Sequence, residues 1–430
     1  MKSVAPDIYE CPSFVDTHSH DDLALLGDPE RADKRNQGIG VQVIGNCGIC
    51  PFPNLPRGCA PVRRLFDAVM GPSTRRFPSI RAYRRLVPRK DIVVLQGYNA
   101  LRAALFGPRP KKLNAVERKR AASAVARSVE AGAAGLSLGL AYLPVVGADS
   151  EELNEISRET PLLTVHLRNE SSTVLESIDE VLEIAGRARC RLHISHLKIS
   201  GRPFWPLAER LIRRIRQAHE RFGVTFDHYP YAYGCTALSA VLPPEISSLP
   251  GSALARLHPR TFERRFRDRD WENYVLMCGW AGIQLASLEK YPEYNGRRVA
   301  EVTRRPLDLI VKLVREEPHP AMLIYSQDDR LIDELLKLPF GCVGTDGLPP
   351  VREHPRLTST FPEYLKRCRS IGMPAKDAVE KAAILPRRIF RVPPGTGGTV
   401  LFNWRTGEIV RRAAGPNIAE GRSTSRSRAR

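Results

Sequence analysis

His18 and His20 stand one residue apart in Phe14-Val15-Asp16-Thr17-His18-Ser19-His20-Asp21-Asp22. On an extended strand, side chains at i and i+2 point to one face. A short apolar run therefore delivers two imidazoles side by side, and neutral imidazole is the commonest protein metal ligand. This is one half of a divalent-metal site; the plainer reading is two polar residues where a strand runs out. Further ligand-type side chains close other apolar runs. Cys47 follows 40–46, His166 closes 161–166, His196 closes 190–196 and Asp346 follows 340–345. Zinc accepts thiolate, imidazole and carboxylate, and a catalytic site keeps three protein ligands with one position open to water. Cys47, His166 and His196 offer one thiolate and two imidazoles. Zinc in such a site brings the pKa of water down to about 7. Asp346 is then the residue to take that proton and hand it to a leaving nitrogen. The chemistry expected is hydrolysis of an amide.

The elements that must position these residues are legible as short β-branched runs. Nine candidate strands lie at 13–17, 40–46, 91–98, 133–139, 161–166, 190–196, 223–229, 321–325 and 340–345. Amphipathic stretches at 115–131, 174–188 and 203–222 lie between some of them, the last with Leu207, Leu211, Ile212, Ile215 and Ala218 on one face and Gly223 as a stop. Alternating strands and helices predict a parallel sheet. The expected fold class is α/β, a (β/α)₈ barrel spanning 13–392, whose function gathers at the C-terminal ends of its strands. Eight strands suffice, so 321–325 is placed outside the barrel. The Pro-rich, charged stretch 236–320 is expected to be an insertion with its own helices. Residues 1–12 read as a lead-in, and 393–420 as a Gly-rich change of character with one strand-like stretch, 399–403. Residues 421–430 form a basic Ser/Arg tail expected to be disordered.

Composition narrows the partners. The 430 residues are 42% hydrophobic and 26% charged, with 66 Lys+Arg against 47 Asp+Glu, a net charge of +19. The basic residues are scattered along helical stretches such as Arg213-Arg214-Ile215-Arg216, with no stripe interleaved by aromatics. Solvated arginine-rich faces are favoured over nucleic-acid binding, and an acidic small substrate suits the balance. Nine scattered cysteines, an odd number, argue for reduced thiols. Cys47-Gly48-Ile49-Cys50 has no second pair to complete a structural zinc site, and Pro51-Phe52-Pro53 follows where a redox motif opens a helix. No run of about 18 apolar residues is present, and the start lacks the apolar core of a signal peptide. A cytoplasmic protein with no membrane association is expected.

The chain resembles the N-acyl-D-amino-acid deacylases (D-aminoacylases) of the metal-dependent amidohydrolase superfamily. The resemblance is carried by the His18/His20 segment, Gly45-Asn46-Cys47-Gly48-Ile49, Gly135-Leu136-Ser137-Leu138-Gly139-Leu140-Ala141-Tyr142, His166-Leu167-Arg168-Asn169-Glu170, His193-Ile194-Ser195-His196-Leu197-Lys198, Asp227-His228-Tyr229-Pro230-Tyr231, Gly344-Thr345-Asp346-Gly347-Leu348-Pro349 and His354-Pro355-Arg356. It implies a tightly held zinc on Cys47, His166 and His196, and a weaker second metal position on His18, His20 and Asp346 with Cys47 shared. It implies Asp346 as general base and then acid. It also implies that Lys198, Tyr229 and Arg356 hold the carboxylate of an N-acyl amino acid. Lys198, two residues beyond His196 on one strand face, suits that part as a cation.

Four neighbours read as structural: His193 and His228 face away from the ligand side, Cys50 is a packing residue, and Cys235 lines a pocket at most. Tyr98 stands where relatives often carry His. The family's β-sandwich, built from both chain ends, has no room before residue 14 and only about one strand after the barrel, so the resemblance implies that 393–420 is the remnant of this small β domain. The bared flank would call for an oligomer or another partner to cover it. Two other readings stay open: a cyclic amidase of dihydroorotase or hydantoinase type, and a non-catalytic shortened binding protein.

Overall fold

Eight of the nine apolar runs become parallel strands of one closed barrel. They are β1 (Phe14–Asp16), β2 (Ile39–Ile44), β3 (Ile92–Val94, continued as Gln96–Gly97), β4 (Leu136–Gly139), β5 (Leu162–His166), β6 (Arg191–Ile194), β7 (Thr225–His228) and β8 (Gly341–Val343). The computed structural model describes residues 1–413. Each strand pairs in parallel with the next in this order. At the kink in β3, Leu95 N–H donates to the Ile44 carbonyl at 2.9 Å and Gln96 N–H to the Gly135 carbonyl at 3.0 Å. The ring closes where Thr17 N–H donates to the Val343 carbonyl at 3.3 Å. Nearly every strand residue is buried. That is why the strands read as continuous apolar runs rather than as alternating ones.

The helices between strands carry their own start and stop signals. Ala115–Glu130 opens on a capping box, with the Asn114 side chain accepting from Glu117 N–H and the Glu117 carboxylate accepting from Asn114 N–H. Val174–Ala188 follows β5. The stretch expected as one helix over 203–222 is two pieces. Pro203 and Pro206 confine Arg202–Leu207 to a 3₁₀ turn, and the α-helix proper is Ala208–Phe222, ended by Gly223 in the left-handed region at φ 66°. Its buried face is Leu211, Ile215 and Ala218, while Leu207 and Ile212 are only partly buried.

Ala321–Tyr325 lies outside the barrel. It is the middle strand of a three-stranded antiparallel sheet, between Tyr233–Ala237 and Ile283–Ala286. Short helices between residues 238 and 316 pack on this sheet around a separate core that includes Val241, Phe262, Met277, Ile310 and Leu313. One end of the insertion reaches the mouth of the barrel, as its residues Glu272 and Tyr274 show below.

The chain ends correct the expectation of a bare lead-in. Lys2–Ala5 and Ile8–Pro12 form a hairpin, and Ile8–Pro12 pairs with Thr399–Asn403, which pairs in turn with Ile409–Ala413. The result is one four-stranded antiparallel sheet drawn from both termini. The first strand is wholly exposed and carries no apolar alternation, so periodicity does not reveal it. Its signal is the Pro6-Asp7 turn, with Asp7 at φ 58°. This sheet also covers the flank expected to need a partner. Val400 and Phe402 are fully buried, and Phe14 packs between Phe361 at 5.2 Å and Phe402 at 5.9 Å. Residues 414–420 and the basic tail 421–430 lie outside the described residues. Among the described residues, no helix is long and apolar enough to cross a membrane.

Candidate metal centre and active site

The C-terminal ends of the barrel strands carry the chemistry. His18 and His20 follow β1, Cys47 follows β2, His166 ends β5, His196 follows β6 and Asp346 follows β8. Three of these six, Cys47, His196 and Asp346, adopt left-handed backbone conformations with φ of 53°, 33° and 48°. A non-glycine residue there costs about 1–3 kcal/mol and persists only where its surroundings hold it. The holders are visible. Asp346 N–H donates to the His18 carbonyl at 2.7 Å. His196 N–H donates to Asp227 Oδ1 at 2.7 Å. The turn around Cys47 is tied by Ile49 N–H donating to the Asn46 carbonyl at 2.8 Å and Gly48 N–H donating to Ser137 Oγ at 3.0 Å, and Gly48 itself stands at φ 73° with Asn99 Oδ1 where a Cβ would lie.

These backbone turns aim the ligand atoms at one point. Cys47 Sγ lies 3.2 Å from His18 Nε2, 3.4 Å from His196 Nε2 and 3.9 Å from His166 Nδ1. His166 Nδ1 and His196 Nε2 are 2.8 Å apart. Zinc–sulfur and zinc–nitrogen bonds of about 2.3 and 2.1 Å at a tetrahedral angle place sulfur and nitrogen roughly 3.6 Å apart. The two relevant sulfur–nitrogen distances fall on either side of that value. Burial pushes the Cys47 thiol up, but the imidazoles of His18 and His196 and the hydrogen bond to His166 outweigh it and hold the thiol well below its ordinary pKa. The cluster therefore offers a thiolate, which is the form a metal takes. Asp346 Oδ1 lies 3.3 Å from His20 Nε2 and 3.6 Å from His18 Nε2. The donors His18, His20 and Cys47 form a second group able to hold a cation beside the first.

The far nitrogens of three imidazoles face carboxylates. Glu272 Oε2 lies 3.4 Å from His166 Nε2, Glu170 Oε1 lies 2.9 Å from His196 Nδ1, and Asp227 Oδ1 lies 3.4 Å from His18 Nδ1. Such partners fix ring orientation and tautomer and raise the basicity of a ligating imidazole. The residues present therefore fit a metal by donor set and by what stands behind it. Burial opposes the charge on Glu170, but Lys198 and the imidazoles of His196 and His166 bring its pKa down to about 2. Burial likewise opposes the charge on Asp227, and His18 and His193 pull it far below the carboxylate range. Tyr274 donates to Glu272 Oε2 at 2.8 Å.

Glu170 and Asp227 sit inside segments already tied to the family, so their positions carried a signal. Glu272 did not. It comes from the insertion, 106 residues beyond His166, and nothing local marks it.

The substrate-side residues divide. Lys198 and Tyr229 line the cavity at the barrel mouth. Lys198 Nζ is held by Glu170 Oε2 at 2.6 Å and lies 2.8 Å from His196 Nδ1. Arg356 stands behind them, 1% exposed, with Nη1 on Asp346 Oδ2 at 2.8 Å and its guanidinium 5.4 Å from the Tyr229 ring centre. His193 faces away, bonded to Asp227 Oδ2 at 2.9 Å and to Thr225 Oγ1 at 2.8 Å. His228 is buried, and burial followed by Lys381 and Arg367 pushes its pKa down to about 3. Cys50 donates to the Phe52 carbonyl at 2.8 Å. Cys235 lines the cavity, its thiol pushed up to about 12 by burial. Tyr98 donates to Glu152, which also pairs with Arg102, so it ties a helix down outside the cavity.

No protein-family model matches the chain. Individual relatives do. The chain is 29% identical over 393 residues to the N-acyl-D-glutamate deacylase of Alcaligenes xylosoxydans xylosoxydans, covering 88% of this chain and 72% of that one. It is 27% identical over 378 residues to the D-aminoacylase of the same organism, covering 86% and 71%. In structure it matches the N-acyl-D-glutamate deacylase of Bordetella bronchiseptica with a TM-score of 0.76 and 25% identity, over 95% of this chain and 84% of that one. That crystal structure holds zinc and a phosphonate inhibitor, a mimic of the tetrahedral intermediate of the reaction. The chain is thus a homologue of the amidohydrolases with a (β/α)₈ barrel. Within them its relatives named above are N-acyl-D-amino-acid deacylases, the group its segments resemble.

Proposed function

We propose that the chain hydrolyses the amide bond of N-acyl-D-amino acids, giving a carboxylate and a free D-amino acid. The observation that carries this reading is the convergence of Cys47, His166 and His196 at the barrel mouth, with Asp346 beside them against His18 and His20. These three residues would hold zinc, which would supply Lewis acidity and lower the pKa of a bound water toward neutrality. Asp346 is the proton carrier. Burial disfavours its charge, but Arg356 and the imidazoles of His20, His18 and His196 keep it a carboxylate well below its ordinary pKa. It accepts the proton of the attacking water and delivers it to the departing amide nitrogen. Lys198 and Tyr229 receive the substrate carboxylate, with Arg356 supporting both Tyr229 and Asp346. His18, His20 and Asp346 share Cys47 in a weaker second cation position. Glu170, Asp227 and Glu272 keep the rings turned toward the centre.

The test is release of free amino acid from N-acetyl-D- and N-acetyl-L-amino acids by the zinc-loaded chain. Turnover of the D forms, abolished in Asp346→Asn, supports the reading. Turnover of L forms alone overturns its stereochemical part, and turnover of neither overturns the whole.

A further inference from the structure

The relatives named for D-glutamate and for D-amino acids in general stand at 29% and 27% identity, so similarity does not say which side chain this pocket accepts. The charges on its wall do. Resting on the deacylase reading, we infer that the substrates are N-acyl-D-amino acids with an uncharged side chain, and that the acidic D-glutamate and D-aspartate forms are excluded.

Apart from the imidazoles of the metal centre, Lys198 is the one cation among the described residues that line the cavity. It is held by Glu170 at 2.6 Å, and the nearby Arg356 by Asp346 at 2.8 Å. Both cations thus face carboxylates before any substrate arrives; Lys198 is required for the substrate's own α-carboxylate, and Arg356 stands behind the wall. The rest of the wall has no charge to offer a second one. Ile49, Val69, Ile324 and Leu348 present hydrocarbon, and Thr236 and Gln327 present neutral dipoles. A second carboxylate brought here loses its water and finds no cation. An uncompensated charge in a buried site costs several kcal/mol. An aliphatic or thioether side chain meets a matching surface instead.

The net charge of +19 does not reverse this, because the basic side chains lie elsewhere. They attract anions to the surface in a salt-dependent way but do not pair with a group inside the cavity. Tyr274, which lines the insertion side, brings a hydroxyl bonded to the buried Glu272 and no cation.

The experiment compares kcat/KM of the zinc-loaded full chain for N-acetyl-D-leucine and N-acetyl-D-methionine with that for N-acetyl-D-glutamate and N-acetyl-D-aspartate, at two salt concentrations. The neutral substrates are expected to lead by about 100-fold or more at both. Equal or faster turnover of the acidic substrates overturns this inference and leaves the deacylase reading standing. If no substrate turns over, the deacylase reading fails, and the rise in Tm with each N-acetyl-D-amino acid still reads the pocket. A larger rise with the leucine derivative than with the glutamate derivative supports an uncharged subsite. The reverse order, or no rise with leucine, overturns it.

Discussion

Asp227→Asn tests how the site is held together. The buried Asp227 carboxylate takes three partners: His196 N–H at 2.7 Å, His193 Nε2 at 2.9 Å and His18 Nδ1 at 3.4 Å. It therefore grips two candidate metal residues at once, and the first contact holds His196 in its left-handed turn. Asparagine keeps the shape and one oxygen. If that oxygen stays on His196 N–H, the amide group faces His193, whose ring can reverse its tautomer against Thr225. The lost contribution is then the charge. A hydrogen bond to a charged group contributes about 1.5–3 kcal/mol against 0.5–1.5 for a neutral one, a difference of about 1–2 kcal/mol. Outer partners of metal-bound histidines change metal affinity by about 10–100-fold. Expected results are a fall in stability of about 1–2 kcal/mol and a zinc Kd raised by about 10–100-fold, with the fold retained. Asp227→Ala, which strands the buried His196 N–H and His193 Nε2 donors, is expected to cost about 3–5 kcal/mol. Zinc content after dialysis against graded chelator, together with urea unfolding, reads both quantities. Chelator and urea curves for Asp227→Asn that superpose on those of the unaltered chain would refute the positioning role.

Three further outcomes are expected. Gly48→Ala places a methyl 1.8 Å from Asn99 Oδ1 at a left-handed φ of 73°, so it is expected to cost more than about 3 kcal/mol, read as lost soluble yield or a collapsed urea midpoint. Lys381 is buried, and burial lowers its pKa from 10.5 to about 8. Below pH 8 folded and unfolded chains both hold the proton and the burial penalty is full; between pH 8 and 10.5 only the unfolded chain keeps it, so this residue's contribution to stability rises with pH. Lys381→Met is expected to raise stability at pH 7 by about 1–3 kcal/mol, allowing about 1.4 kcal/mol per pKa unit and the lost bond to the Leu338 carbonyl, and to flatten the pH dependence of urea melts between pH 7 and 10. Lys198→Met removes the one lining ammonium and is expected to raise KM for N-acetyl-D-amino acids by about 10–100-fold, with steady-state kinetics separating this from a loss confined to kcat.

The barrel was legible because its strands are buried on both faces and end abruptly in Cys47, His166, His196 and Asp346. A run of β-branched residues broken by a ligand-type side chain is a local signal. Three kinds of feature left none. The first strand, Lys2–Ala5, packs no face, so nothing in its residues alternates. The left-handed turns at Cys47, His196 and Asp346 are held by partners remote in sequence, the Ser137 hydroxyl on the amide after Cys47, the Asp227 carboxylate and the His18 carbonyl, which no local spacing records. Glu272 reaches His166 only because the insertion folds back over the mouth, a tertiary event that no spacing records. Arg356, assigned to the substrate carboxylate from family likeness, proves to be packed behind Asp346 rather than on the cavity wall.

X-ray absorption at the zinc edge addresses the metal centre most directly. For zinc-loaded chain, a shell with one sulfur at about 2.3 Å and two imidazole nitrogens at about 2.0–2.1 Å is expected, and Cys47→Ala is expected to lose both the sulfur and most of the zinc. A shell of nitrogen and oxygen alone, or zinc kept in full by Cys47→Ala, would contradict a centre built on Cys47, His166 and His196.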